Sequence, residues 1–174
     1  MTEIKELISS DDIQNRVAEL STLISKDYAG KTLLFLCVLK GGVMFTMDLC
    51  RKIDENVAVE LDFMDISSYG DSTESSRVIK INKDLSQPIT GKNVLLCEDI
   101  IDSGRTLSYL MKYLSMQNPE SLRICALLDK PSRRVNFDII PDYIGFTVPN
   151  DFVVGYGLDV CEKHRNLNYI GVMI

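Results

Sequence analysis

The 174 residues suffice for one domain with a sizeable core, and 45% hydrophobic against 25% charged residues is an ordinary globular balance. A net charge of −6 argues against a nucleic-acid binder that works through an overall basic surface, yet it leaves room for a local cationic pocket for an anionic substrate. No apolar run approaches the ~18 residues of a membrane helix, and Met1-Thr2-Glu3-Ile4-Lys5-Glu6 lacks the apolar core of a signal peptide.

Ile13, Val17, Leu20 and Ile24 recur at helical spacing, with Ser9, Ser10 and Asp11 available as caps. Leu33 to Leu39 is apolar throughout, the pattern of a strand covered on both faces. It ends at Lys40-Gly41-Gly42, and Val43 to Lys52 reads as a buried helix. The two glycines make either a tight turn or a backbone cradle for an anion. Val57, Val59, Leu61 and Phe63 alternate, which predicts a strand with that face buried. The polar stretch Ser67 to Ser76 reads as a surface loop, and Arg77 to Asn82 as the strand returning from it.

The most informative stretch follows. Val94 to Cys97 is a short strand, bounded by Thr90-Gly91-Lys92-Asn93 and ending at Glu98 and Asp99. Then comes the loop Asp102-Ser103-Gly104-Arg105-Thr106, and Leu107, Leu110, Met111 and Leu114 mark one helix face. Free N–H groups at a helix start carry partial positive charge, and Gly104 lets the backbone come close, so this spot suits a phosphate. Ser103 and Thr106 add hydroxyl donors. Glu98 and Asp99 would repel a bare phosphate but suit ribose hydroxyls or Mg²⁺. A capped helix with solvated acids is the plainer alternative.

Leu122 to Leu128 is another apolar strand and ends at Asp129-Lys130-Pro131. Lys130 is either a solvated turn lysine or a donor to a carbonyl oxygen. Tyr143 to Val148 is a strand broken by Pro149-Asn150, and Leu167 to Ile174 a closing strand. Gly155-Tyr156-Gly157 lacks the third glycine and following helix of a dinucleotide fingerprint, and no G-x-x-x-x-G-K-[ST] occurs. Among the five cysteines, Cys37, Cys97 and Cys125 sit in apolar runs, and the odd count fits a reducing cytosol. His164, the only histidine, reads as a surface residue. Strands alternating with helices imply a parallel-centred α/β sheet with helices on both faces and ligand loops at the carboxyl ends of the strands.

Glu98 to Leu107, Glu-Asp-Ile-Ile-Asp-Ser-Gly-Arg-Thr-Leu, resembles the phosphoribosyl diphosphate (PRPP) motif of the type I phosphoribosyltransferases, in the wording of their hypoxanthine-guanine, bacterial-type members. Leu39-Lys40-Gly41-Gly42 is similar to the family's pyrophosphate loop, where the peptide before the lysine can be cis. Ser68-Tyr69-Gly70 resembles the start of its flexible catalytic loop. The resemblance covers nearly the whole chain and implies the type I fold, one domain over residues 1–174, with a small hood over the base site built from the chain ends.

It also implies purine salvage: a Mg²⁺-dependent glycosyltransferase moving 5-phosphoribosyl from PRPP to N9 of hypoxanthine or guanine, giving IMP or GMP and pyrophosphate. Asp102 is then the general base. Asp102, Ser103, Gly104, Arg105 and Thr106 hold the 5-phosphate. Glu98, Asp99 and Ile100 lie at the ribose. Lys40, Gly41 and Arg165 contact pyrophosphate, while Ser68 and Tyr69 belong to the lid. Lys130 meets the purine 6-oxo group, Phe152 stacks on the base, and the Val153 backbone bonds its edge. Glu98, Asp99 and Asp159 are the implied magnesium ligands. Without the resemblance, Phe152 reads as core, Asp159 as a loop carboxylate and Arg165 as a surface arginine. A cytoplasmic homodimer or homotetramer, with neither nucleic acid nor membrane as partner, completes the expectation. A non-catalytic PRPP sensor of the same fold is the rival, disfavoured by the presence of Lys130, Phe152 and Asp159.

Overall fold

A computed structural model describes residues 3–69, 78–135 and 138–174. The chain runs through β1 (Ile4–Ile8), α1 (Ser10–Asp27), β2 (Thr32–Leu39), α2 (Val43–Cys50), β3 (Ala58–Tyr69), β4 (Val78–Lys83) and β5 (Asn93–Ile101). There follow α3 (Arg105–Ser115), β6 (Ser121–Asp129), a 3-10 turn at Pro131–Arg133, β7 (Tyr143–Thr147), β8 (Val153–Val154) and β9 (Ile170–Met173).

A six-stranded sheet has the order β4-β3-β2-β5-β6-β7, parallel except for β4, which pairs antiparallel with β3. Its central strands are apolar without alternation because both faces are covered. Leu33, Phe35, Leu95, Cys97, Cys125 and Leu127 pack with Ile13, Val17, Leu20 and Ile24 of α1 and Phe45 and Leu49 of α2. Leu34, Leu36, Val94, Leu96, Ile124 and Ala126 pack with Leu107, Leu110 and Leu114 of α3. The three cysteines of the apolar runs are all buried free thiols.

The helix predicted after Ser9 begins there, and the Ser9 Oγ accepts the Asp12 N–H at 3.1 Å. β1 was not read from the sequence. It pairs antiparallel with β9, and β9 with β8, so the two chain ends make a three-stranded sheet, the expected hood.

Two expectations need correction. In β3 the alternation buries the opposite face: Asp62 and Met64 are inside, while Val59 and Leu61 are 39% and 41% exposed. The helices α1 and α2 pack over β2, β5 and β7, so the face of β3 that carries Val59 and Leu61 is left open. Asp62 is held inside by the Ser86 N–H at 2.7 Å and the Ser86 hydroxyl at 2.8 Å. Likewise α2 buries one face through Phe45, Thr46 and Leu49 and leaves Met44 exposed.

Candidate active site

β2, β5 and β6 lie side by side and parallel, so their carboxyl ends open at one edge of the sheet. β5 runs past the acidic pair, because Ile100 and Ile101 continue the ladder opposite Leu128 and Asp129. The chain then turns at Gly104, whose φ of +78° suits glycine, and enters α3 at Arg105. Thus the first N–H groups of α3 and the Ser103–Gly104 turn face the strand ends. Glu98, Asp99, Ile100, Asp102, Ser103, Gly104 and Thr106 line one cavity of about 170 Å³ there. Arg105 is exposed at the start of α3.

Desolvation, and then the charge of Asp99, push the Glu98 carboxyl well above the usual range. Burial also raises Asp99, against the opposing pull of its hydrogen bonds and of Arg165. Two adjacent carboxylates that resist ionisation together offer hard oxygen donors, and a cation or a set of ribose hydroxyls relieves their cost. The pair therefore fits Mg²⁺. Asp159 is committed differently: Oδ1 lies 2.8 Å from Arg165 Nη2, and Oδ2 accepts the Glu162 N–H at 2.8 Å. Among the described residues no three His, Cys, Asp or Glu side chains gather around one metal position. A magnesium ion here would draw its other ligands from substrate oxygens and water, as that ion commonly does.

The loop expected to meet pyrophosphate, Lys40-Gly41-Gly42, backs onto this pair. The Leu39–Lys40 peptide is cis. Gly41 sits so close to Asp99 that a Cβ built on it would be 1.5 Å from the Asp99 Oδ2. Gly157, at φ +102°, packs in turn on the Gly41 carbonyl, which a Cβ would meet at 2.1 Å. The Lys40 loop is thus sandwiched between β5 and the 155–165 segment. Arg165 closes the sandwich by donating to the Gly157 carbonyl at 2.7 Å.

On the far side, Lys130 is 8% exposed, and its ammonium donates to the Asp151 carbonyl at 2.7 Å. Its backbone N–H bonds the Ile101 carbonyl at 3.0 Å, which puts it next to Asp102. Phe152 is 58% exposed, whereas Val153 is buried in β8. Ser68 and Tyr69 lie at the end of β3. The rest of the expected lid, Gly70 to Ser76, and Arg77 lie outside the described residues.

Two polar residues at this edge were not singled out from the sequence. Arg133 Nε lies 3.0 Å from Asp102 Oδ1, and Glu162 Oε2 lies 3.0 Å from Lys40 Nζ. The Arg133-Arg134 pair, one serine after Lys130-Pro131, was a usable signal, since cations within one turn of a strand end lie close to it. Glu162 carried none, because its partner is far away in the chain.

The chain matches the phosphoribosyl transferase domain over residues 5–160. It is 50% identical over 169 residues to the hypoxanthine-guanine phosphoribosyltransferase of Bacillus subtilis, covering 97% of this chain and 92% of that one. The Mycobacterium bovis protein of the same name is 49% identical over 173 residues, covering 96% and 84%. A bifunctional TilS/HprT protein of Listeria innocua is 50% identical over 169 residues, which are 97% of this chain, but this chain spans only 26% of that relative's length. Among solved structures, a Bacillus anthracis hypoxanthine-guanine phosphoribosyltransferase with HEPES in its active site superposes with a TM-score of 0.92 at 45% identity, covering 99% of this chain and 100% of that one. A Staphylococcus aureus hypoxanthine phosphoribosyltransferase gives 0.91 at 45% identity, covering 98% and 91%. With the strand-end cavity, the glycine-seated Lys40 loop and the buried Lys130, these matches place the chain in the phosphoribosyltransferase family, among its hypoxanthine-guanine members.

Proposed function

We propose that the chain transfers a 5-phosphoribosyl group from PRPP to N9 of hypoxanthine or guanine, releasing pyrophosphate and giving IMP or GMP in purine salvage. The observation that carries this reading is the bond from the Lys130 N–H to the Ile101 carbonyl, 3.0 Å long. It seats Lys130 beside Ile101, one residue before the Asp102–Thr106 loop, and this supports a lysine meeting the base next to a phosphate site.

In this reading the 5-phosphate sits on Asp102–Thr106 against the α3 N-terminus. Glu98 and Asp99 accept from the ribose hydroxyls beside Ile100. Lys40, the Gly41 backbone and Arg165 surround the pyrophosphate. Bound Mg²⁺ supplies charge neutralisation on the leaving group; Glu98, Asp99 and, through water, Asp159 would hold it. Phe152 stacks on the purine, the Val153 backbone meets its edge, and Lys130 donates to O6. As the bond from C1 to pyrophosphate oxygen breaks, its electron pair leaves with pyrophosphate and N9 bonds C1. Asp102 takes the proton released near N7. Ser68 and Tyr69 begin a lid that keeps water from the reacting carbon.

We infer further that residues 1–174 act as one domain, in the cytoplasm, as a homodimer or homotetramer. Buried free thiols support a reducing compartment, and no described helix is long and apolar enough to cross a membrane. The open apolar strip of Val59 and Leu61 supports self-association. The test is product analysis with PRPP, hypoxanthine and Mg²⁺: IMP and pyrophosphate should appear in equal amounts. PRPP binding without either product would overturn the enzyme reading in favour of a sensor.

A further inference from the structure

We propose that Arg133 is a positioning residue for Asp102, holding the carboxylate in the plane from which it accepts the purine proton. The inference rests on the reading of Asp102 as general base and adds a residue that acts through it.

The segment after β6 lies along the phosphate loop like a splint. At one end the Lys130 N–H bonds the Ile101 carbonyl at 3.0 Å, and at the other the Val135 N–H bonds the Ser103 carbonyl at 3.1 Å. Between them Pro131–Arg133 makes one 3-10 turn, closed by the Arg133 N–H on the Lys130 carbonyl at 3.0 Å. Arg134 anchors the turn from below, paired with buried Asp129 and donating to the Ile139 carbonyl. The splint is therefore fixed on both sides of Arg133, and the Arg133 side chain reaches Asp102, Nε to Oδ1 at 3.0 Å.

Stability does not explain this pair. Both side chains are 48% exposed, and pairs of that kind contribute little to folding. Orientation does explain it. A guanidinium Nε–H is a directional donor, and a carboxylate gripped at one oxygen keeps a defined plane while the other oxygen receives a proton. Asp102 lines the phosphate-loop cavity, so its plane decides whether that oxygen meets N7. Small misplacements of a catalytic group cost as much as ~10²-fold in rate.

The test is a double-mutant cycle on Asp102→Asn and Arg133→Gln, with Arg133→Lys as the conservative variant. Arg133→Gln should lower kcat about tenfold, leave KM for PRPP within about twofold and leave the melting temperature unmoved. Arg133→Lys, which keeps the charge but lacks the Nε–H, should fall between the two. In the Asp102→Asn background Arg133→Gln should cost nothing further, because the group it orients is gone. Independent, multiplying losses in the double variant would overturn the proposal, as would a raised KM for PRPP at unchanged kcat. An Asp102→Asn enzyme with full kcat would instead overturn the role of Asp102 itself, which separates the two failures.

Discussion

Lys40 Nζ lies 3.0 Å from Glu162 Oε2, and the same carboxylate oxygen is 3.4 Å from Arg165 Nη2. The two cations assigned to pyrophosphate are thus already bridged by an acid of the chain. Hydrogen bonding to Lys40 is the main cause that holds the Glu162 carboxyl below its ordinary range. On the proposed reading, PRPP displaces this internal anion. Glu162→Gln should therefore lower KM for PRPP about two- to fivefold with little change in kcat, in keeping with the small value of exposed pairs. Initial-rate kinetics at saturating hypoxanthine would show it, and a higher KM would mean that Glu162 helps to bind rather than to block.

Asp102→Asn keeps the shape of the side chain and removes the base. A positioned general base contributes ~10²–10⁴-fold, so kcat should fall by about that factor while PRPP affinity stays nearly constant. Rapid-quench turnover and PRPP titration by calorimetry separate the two quantities. Lost PRPP binding would assign Asp102 a structural role.

Stability should depend on pH through Glu98. Its folded-state pKa is raised by burial and by Asp99, so the folded chain holds that proton more tightly than the unfolded one. The stability linked to the proton is present below the ordinary glutamate value and is lost as pH rises through the raised one. The melting temperature of the metal-free, substrate-free protein should therefore decline as pH climbs above the ordinary glutamate range. Glu98→Gln should flatten that decline. Asp62 and Asp27 work the other way: against the upward push of burial on Asp62, hydrogen bonds from Ser86 and Phe63 hold it low, and the Tyr143 hydroxyl holds Asp27 low, so their contribution is present above the ordinary aspartate range and lost in acid. A wild-type profile that matched the Glu98→Gln profile above the ordinary glutamate range would contradict the assignment.

Gly157 has no room for a side chain, at φ +102° and with the Gly41 carbonyl 2.1 Å from the position of a Cβ. Gly157→Ala should cost roughly 1–3 kcal/mol in denaturant unfolding through backbone strain alone. Because the displaced neighbour is the Lys40-Gly41 loop, to which the proposal gives the pyrophosphate, KM for PRPP should rise as well. A stable variant with unchanged KM would mean that the two loops are not in contact.

How much of this was legible beforehand depends on the range of the interaction. The strand, loop and helix from Asn93 to Ser115 are local: apolar run, glycine turn and helical spacing sit within one stretch, and the structure forms them there. β1 was not legible, since Ile4 to Ile8 becomes a strand only by pairing with β9 at the other end of the chain. The buried face of β3 was misread for a related reason. Alternation shows that two faces differ, but Val59 and Leu61 are outside because no helix lies over them, a fact of layer placement. Phe152 shows the converse: apolar character suggests core, and it is exposed. Glu162 was invisible because it takes its meaning from Lys40 on a distant loop, whereas the Arg133-Arg134 pair was visible and only the partner of Arg133, Asp102, was not.

The most direct measurement is a comparison of hypoxanthine, guanine, xanthine and adenine as acceptors with PRPP and Mg²⁺, followed by absorbance. Lys130 carries only donors, so a base with O6 should be accepted and one with a 6-amino group refused. Hypoxanthine and guanine should exceed adenine in kcat/KM by about 10³-fold or more. Equal use of adenine would contradict the central claim that Lys130 reads the oxygen of the incoming base.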